Sequence, residues 1–198
     1  MSRQPEISSA ASSTPEYSPE ERALLLRLAH DSIAAAIEGK EISLEPPSEH
    51  LAQPRGAFTT IYVHGDLRGC VGYVLPVASV YRTIADTARA AAFDDTRFPP
   101  LRAEELPALE VSVSILSPTE PIEPDQIEIG RHGLLITKGA HRGLLLPQVP
   151  VERDWDLYTF LAQTCRKAGL ADNDWRSGAK IEAFTAEIFA DPGVTDQH

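Results

Sequence analysis

The order of helical and strand-like segments limits the fold of this chain more than any other feature of its sequence. Strand-like runs occur partly in pairs, and helical runs do not alternate with them one for one. This order argues against a regular βαβ succession and favours an α+β fold, with a largely antiparallel or mixed β-sheet and flanking helices. The segments are a helix at 18–39, a strand pair around 65–66, a helix at 79–93, a strand at 108–116, a hairpin at 134–146, a helix after 154 and a strand at 181–190.

The first helix divides a tail from a folded domain. Ser18 and the Pro19-Glu20-Glu21 run combine an N-cap serine, a proline at the first helical position and a glutamate three residues after the cap. Residues 1–17, which precede this signal, are rich in Ser, Pro and Glu and almost without apolar side chains. We therefore expect a disordered tail at 1–17, one domain at 18–190 and a C-terminal tail at 191–198.

The strand pair at 57–72 predicts a specific register. Gly65-Asp66 matches the two central residues of a tight hairpin turn. With that turn Cys70 faces Ile61, and Gly69 faces Tyr62. The missing side chain at Gly69 then leaves room for the tyrosine ring, for a ligand or for another stretch of backbone.

Charge and cysteine content exclude several functional classes. A net charge of −11 and a pI near 4.9 make nucleic-acid binding unlikely. Two cysteines are too few for a disulfide framework, and no secretion signal or membrane-spanning run is visible. The sequence predicts a reduced, cytoplasmic protein without a membrane association. No spacing typical of metal ligands and no phosphate loop occurs, so we expect no metal and no cofactor.

Six short blocks in the same order resemble the AMMECR1 domain family. The first reads Leu-Arg-Gly-Cys-Val-Gly, which differs from the family's usual Leu-Arg-Gly-Cys-Ile-Gly (the LRGC(I/V)G motif) only at Val71. The pattern is similar to the bacterial branch, which is associated with a radical SAM protein and a Memo-like protein (the AmmeMemoRadiSam system). The resemblance implies two lobes around a cleft, and it implies no settled activity. The blocks lie at 67–72, 95–101, 105–114, 130–134, 142–149 and 165–170.

Cys70 and Arg68 are the strongest candidates for chemistry. Period-two geometry places both side chains on one strand face, where a cation favours the thiolate. Cys70 would then be a nucleophile, with Gly69 and Gly72 allowing close approach of a substrate. The alternative for Cys70 is a small core residue. Arg68 needs an anionic ligand or a carboxylate, because an unpaired buried charge is too costly.

Several further residues complete the candidate site. We expect the partner of Arg68, if internal, to be Glu110, Asp94 or Asp95. His132 is a candidate general base for Cys70, or else a structural histidine. Asp95, Arg97 and Glu110 are candidates for lining a cleft, although such polar groups also occur in turns and on solvated sheet faces.

Three functional hypotheses follow. The first is an accessory or substrate-binding component of a modification pathway, working with the radical SAM and Memo-like partners that the resemblance implies. The second is a cysteine-dependent enzyme that uses Cys70 with Arg68 and His132. The third and weakest is a nucleic-acid-interacting protein, which the acidic balance disfavours.

Overall fold

The computed structural model describes residues 15–194 and contains two four-stranded antiparallel sheets with helices packed on them. The expected α+β class is confirmed. The helices are α1 (Pro19–Glu38), α2 (Val80–Phe93), α3 (Gln148–Glu152) and α4 (Leu157–Lys167). The strands are β1 (Ala57–Val63), β2 (Asp66–Tyr73), β3 (Leu109–Leu116), β4 (Glu120–Pro121), β5 (Gly133–Lys138), β6 (His141–Leu145), β7 (Lys180–Phe184) and β8 (Ala186–Ala190).

The first sheet has the strand order β2-β1-β3-β8 and packs one face against α1 and α2. Alternate residues of its inner strands, such as Ile61, Val111 and Val113, are fully buried in this interface. The helix α2 contributes alanines at its contact surface, among them Ala88 and Ala91, which let the sheet approach closely. The other face of this sheet carries the polar alternate residues of the same strands.

The second sheet has the strand order β4-β7-β5-β6 and packs against α4. Leu134 and Ile136 of β5 meet Phe160, Leu161 and Cys165 in a separate hydrophobic core. Cys165 is fully buried there, and burial raises the pKa of its thiol. Cys165 is therefore a residue of this core.

The segment predicted as a single strand at 181–190 is two strands that belong to different sheets. It breaks at Thr185, so that β7 lies inside the second sheet and β8 lies at the edge of the first. At the break, the Ser117 backbone N–H donates to the Thr185 carbonyl at 2.9 Å, and the Thr185 N–H donates to the Ser117 hydroxyl at 3.0 Å. These hydrogen bonds replace the sheet ladder where the chain changes sheets, which hydrophobic alternation alone does not reveal.

Ordered structure extends past both predicted domain boundaries. Tyr17 is only 1% exposed and its ring stacks on His50 with the centroids 4.8 Å apart. Asp191 accepts hydrogen bonds from the Val111 backbone N–H at 2.8 Å and pairs with His30 at 2.7 Å. Residues 1–14 and 195–198 of the predicted tails lie outside the described residues.

The last long helix begins two residues later than predicted. Asp156 accepts from the Thr159 N–H and is the N-cap of α4, whereas Asp154 has a positive φ of 49° in the preceding turn.

Within residues 15–194, no helix is both long enough and apolar enough to cross a membrane.

Candidate functional site

The hairpin that carries Arg68 and Cys70 turns one residue earlier than predicted. Its central residues are His64 and Gly65, with φ angles of 55° and 81°, since β1 ends at Val63 and β2 begins at Asp66. Positive φ at both positions is the type I′ geometry, which suits the twist of a two-residue hairpin. A register shift follows between Ile61 and Tyr62.

The shifted register changes every predicted cross-strand neighbour. Cys70 pairs with Thr60, and Gly69 pairs with Ile61, so the expected pairs Cys70–Ile61 and Gly69–Tyr62 are wrong. The earlier turn alone would shift each partner by two residues, and Arg68, the extra residue of β2 between the pairs Tyr62–Leu67 and Ile61–Gly69, takes one of them back. The net change beyond this bulge is one residue, which puts Cys70 opposite a side chain of the other sheet face. Cys70 consequently faces away from α2, on the polar side of the sheet.

Gly69 provides room for a backbone, as one of the alternatives anticipated. A Cβ at position 69 would stand 2.0 Å from the carbonyl oxygen of Ala91 in α2. The glycine therefore sets the close approach of α2 to β2, and the space is filled by the helix rather than by a ligand or the Tyr62 ring.

The Cys70 thiol lies on a half-open, mixed surface that we call the Cys70 face, formed by Phe58, Thr60, Cys70, Gly72 and Ser112. The thiol is partly exposed, and its sulphur accepts a hydrogen bond from the Thr60 hydroxyl at 3.2 Å. The Phe58 ring covers Gly72, where a Cβ would stand 2.1 Å from Phe58 Cδ1. Gly72 thus accommodates an aromatic ring of its own sheet.

Asp95 and Arg97 cap the free edge of the strand that carries Cys70. The Cys70 backbone N–H donates to Asp95 Oδ2 at 2.9 Å, and Arg97 Nη2 donates to the same oxygen at 2.7 Å and to the Cys70 carbonyl at 3.5 Å. The Arg97 guanidinium holds the pKa of Asp95 well below its usual range. Since β2 is an edge strand, this pair satisfies backbone groups that could otherwise recruit another strand.

Arg68 pairs with a carboxylate of the protein itself, although not with one of the predicted carboxylates. Its Nε and Nη2 atoms donate to the two carboxylate oxygens of Glu105 at 2.8 and 3.2 Å. Its Nη atoms also donate to the carbonyls of Pro99 and Pro100 at 2.6 and 3.3 Å. The hydrogen bonds from Arg68 lower the pKa of Glu105. The arginine thereby fastens the loop after α2 onto β2.

The carboxylates expected to pair with Arg68 have other roles. Glu110 accepts a hydrogen bond from the Gly65 backbone N–H at 3.2 Å and so supports the hairpin turn. Asp95 binds Cys70 and Arg97, as described above. The proposed pairs of Arg68 with Glu110, Asp94 and Asp95 are therefore wrong, because the 3₁₀ turn at Ala103–Ala108 brings Glu105 to the guanidinium.

His132 lies in the part of the chain that leads into the second sheet. Its Nδ1 accepts from the Glu128 backbone N–H at 3.1 Å, and burial lowers the pKa of its imidazole. No hydrogen bond among residues 15–194 connects His132 with Cys70. The structure gives His132 a local structural contact within the segment 128–132.

One cavity lies between β8 and the segment 128–131, and a second lies between the two sheets; the predicted site residues line neither, although His132 lines a separate recess of about 440 Å³. The volumes of the first and second cavities are about 720 and 230 Å³. Arg68 lines a different, shallow depression together with Glu105 and Arg102. Within the described residues, no three His, Cys, Asp or Glu side chains gather closely enough to hold a metal ion.

Sequence reasoning missed Glu105, Thr60 and Phe58 as components of the site. Glu105 is the first residue of the block at 105–114, immediately before Leu106-Pro107. It lies far from Arg68 along the chain, so the sequence did not indicate that the two side chains pair. Thr60 and Phe58 depended on the hairpin register. Placing the turn at His64-Gly65 identifies Thr60 as the residue opposite Cys70 once the bulge is included.

The fold and site define a class of two-sheet α+β proteins in which three separated sequence blocks meet at one sheet edge. The chain belongs to the AMMECR1 family, whose model matches residues 26–189. A protein of Methanopyrus kandleri is 42% identical over 182 residues, covering 86% of this chain and 88% of the relative. A protein of Thermococcus kodakarensis is 44% identical over 180 residues, covering 83% and 87%.

The crystal structure of an uncharacterised protein from Pyrococcus horikoshii is similar to this chain throughout most of its length. The TM-score is 0.70 and the sequence identity 41%, with 84% of this chain and 89% of the other covered. This similarity assigns no activity.

Proposed function

We propose that this chain is an accessory or substrate-binding component of a cytoplasmic modification pathway, and that the Cys70 face contacts a partner protein. The observation that carries the proposal is that Arg68 is already paired inside the protein. Its guanidinium donates to Glu105 and to two proline carbonyls, so it is not available to bind a substrate. Arg68 then has a structural role and holds the strand next to the Cys70 face in place.

The composition of the Cys70 face supports a binding role. It joins the half-buried residues Phe58, Thr60 and Cys70, which supply an aromatic ring, a hydroxyl group and a thiol, whereas Ser112 on the same face is buried. Aromatic side chains next to small polar groups are typical of protein-binding surfaces. The sheet edge beside it is closed by Asp95 and Arg97, which favours face-on contact over addition of a strand.

The radical SAM and Memo-like proteins associated with the bacterial branch are the proposed partners. Pull-down of each protein with this chain tests the proposal. Ser114, opposite Phe58 in the register, is half-buried on the same side of the sheet. We expect Ser114→Arg to weaken binding at least tenfold, and Ala23→Arg, on an exposed site of α1, to leave it unchanged. Equal behaviour of both variants, or no binding of either partner, would refute the proposal.

A cysteine-dependent reaction is the second candidate, and the partial exposure of Cys70 is the observation that favours it. A reactive site predicts rapid alkylation of Cys70 in the folded protein and covalent capture of a substrate analogue. The accessory role predicts slow alkylation of Cys70 and unchanged partner binding by Cys70→Ala. Buried Cys165 provides the internal reference for an unreactive thiol.

A further inference from the structure

The cavity between the two sheets has an unusual distribution of charge. It measures about 230 Å³, and the charged side chains on its wall are the cations Arg55, Arg142 and Lys180 and a single carboxylate, Glu182. The whole chain, by contrast, carries a net charge of −11. Positive charge is therefore concentrated at one recess of an acidic protein.

The carboxylate does not neutralise this wall. Glu182 Oε1 accepts from Lys180 Nζ at 2.8 Å and from the Thr119 hydroxyl at 3.3 Å, so it is satisfied by one cation. Arg142 is exposed, and its side chain makes no hydrogen bond or ion pair within residues 15–194. Its guanidinium is available to a ligand with its full donor capacity.

Arg55 adds a second donor that lacks a complete set of partners. Its Nη2 donates to Glu16 at 2.9 Å and its Nη1 to the Pro54 carbonyl at 3.0 Å. Its Nε is buried and has no hydrogen-bond partner among the described residues. Because this atom has almost no accessible surface, Arg55 contributes positive charge to the cavity wall and leaves the open guanidinium donors to Arg142.

The remaining wall is apolar. Leu135, Leu144 and Phe184 project from the second sheet, and Leu75 and Leu116 contribute from the first. Cavities for drug-sized ligands measure about 300–1,000 Å³, and this one is smaller. We propose that the cavity binds a small organic anion, with a carboxylate or phosphate group at Arg142 and a compact apolar body against Leu135, Leu144 and Phe184.

This inference is independent of the proposed partner binding, since the cavity shares no residue with the Cys70 face. Calorimetric titration with phenyl phosphate and benzoate tests it and distinguishes the two anionic groups. Benzyl alcohol is the neutral control, and inorganic phosphate is the control without an apolar body. We expect binding of at least one aromatic anion, weaker binding of both controls, and methyl NMR shifts at Leu135 and Leu144.

Substitution of Arg142 gives the sharper measurement. A hydrogen bond to a charged group contributes about 1.5–3 kcal/mol, so Arg142→Gln should weaken binding of the aromatic anion roughly 10- to 100-fold. Arg27→Gln, at an exposed arginine of α1, is the matched control and should leave the affinity unchanged. Circular dichroism verifies the fold of both variants. Equal affinity of Arg142→Gln and wild type, equal binding of benzyl alcohol, or no binding of either aromatic anion would overturn the inference.

Discussion

Replacing Arg68 by methionine tests whether the Arg68–Glu105 pair holds the site together. The two side chains are 13% and 25% exposed, so the pair is mostly but not completely buried. Removal of one partner from a fully buried pair costs about 3–5 kcal/mol, and partial solvent access reduces this. Arg68→Met also removes two hydrogen bonds to the carbonyls of Pro99 and Pro100. We expect the free energy of unfolding to fall by about 2–4 kcal/mol.

Urea denaturation gives the free energy directly, and a thermal scan should show a decrease in Tm of about 2–4 °C for each kcal/mol. The chain offers a matched control in Arg166, which makes a two-armed pair with Asp172 at 2.6 Å for each arm but is 57% exposed. Arg166→Met should cost only about 0–1 kcal/mol.

A double-mutant cycle isolates the pair itself. Glu105→Gln removes the charge that Arg68→Met leaves without a partner, so the double variant should be more stable than the sum of the single losses predicts, by about 1–3 kcal/mol. If Arg68→Met is no more destabilising than Arg166→Met, the reasoning is wrong and Arg68 is free to bind an external anion.

Three further predictions concern the same hairpin. Gly69→Ala should lower the free energy of unfolding by about 3 kcal/mol or more, because the new Cβ meets the backbone of Ala91; a denaturation midpoint equal to wild type would contradict the close approach. Asp95→Asn should reduce the pH dependence of the free energy of unfolding, because the Arg97 guanidinium lowers the pKa of Asp95 in the folded protein. The stabilisation by the Asp95 carboxylate is present above the unfolded-state pKa of about 3.9 and is lost as the pH falls through the folded-state pKa. The difference between wild type and Asp95→Asn should therefore shrink between neutral and acidic pH, and a constant difference would exclude this role. His64→Val should cost about 1–2 kcal/mol through its positive φ, while His64→Asn should be tolerated; equal denaturation midpoints for the two would argue against a type I′ turn.

The sequence predicted the type of most elements because their local signals were strong. The Ser18 cap, the alternation at 109–116 and the apolar face of α4 each follow from a single short segment. The register of the hairpin failed because His64 can occupy the left-handed region, which places the turn one residue earlier than a glycine-led turn would. The earlier turn together with the bulge at Arg68 replaced Ile61 by Thr60 opposite Cys70.

The chemistry of the candidate site was less predictable, because its contacts join residues far apart in the chain. The sequence predicted that Arg68 pairs with an anion, because burying a charge without a partner costs too much free energy. Which carboxylate it meets depended on a short 3₁₀ turn that has no strong sequence signal. Likewise, the amide of Cys70 finds Asp95 only because the end of α2 returns to the edge of β2.

The passage of the chain from β7 to β8 has a consequence for folding. Residues 180–190 follow all the other strands, yet they supply an interior strand to one sheet and an edge strand to the other. Before this segment leaves the ribosome, β4 lacks its pairing partner and β3 has an open edge. Neither sheet can therefore be completed before the same eleven residues pair with it. These pairings are non-local, and non-local pairings form slowly. Until residues 180–190 pair, the edges of β3, β4 and β5 that they cover are open, so one contiguous segment closes both sheets.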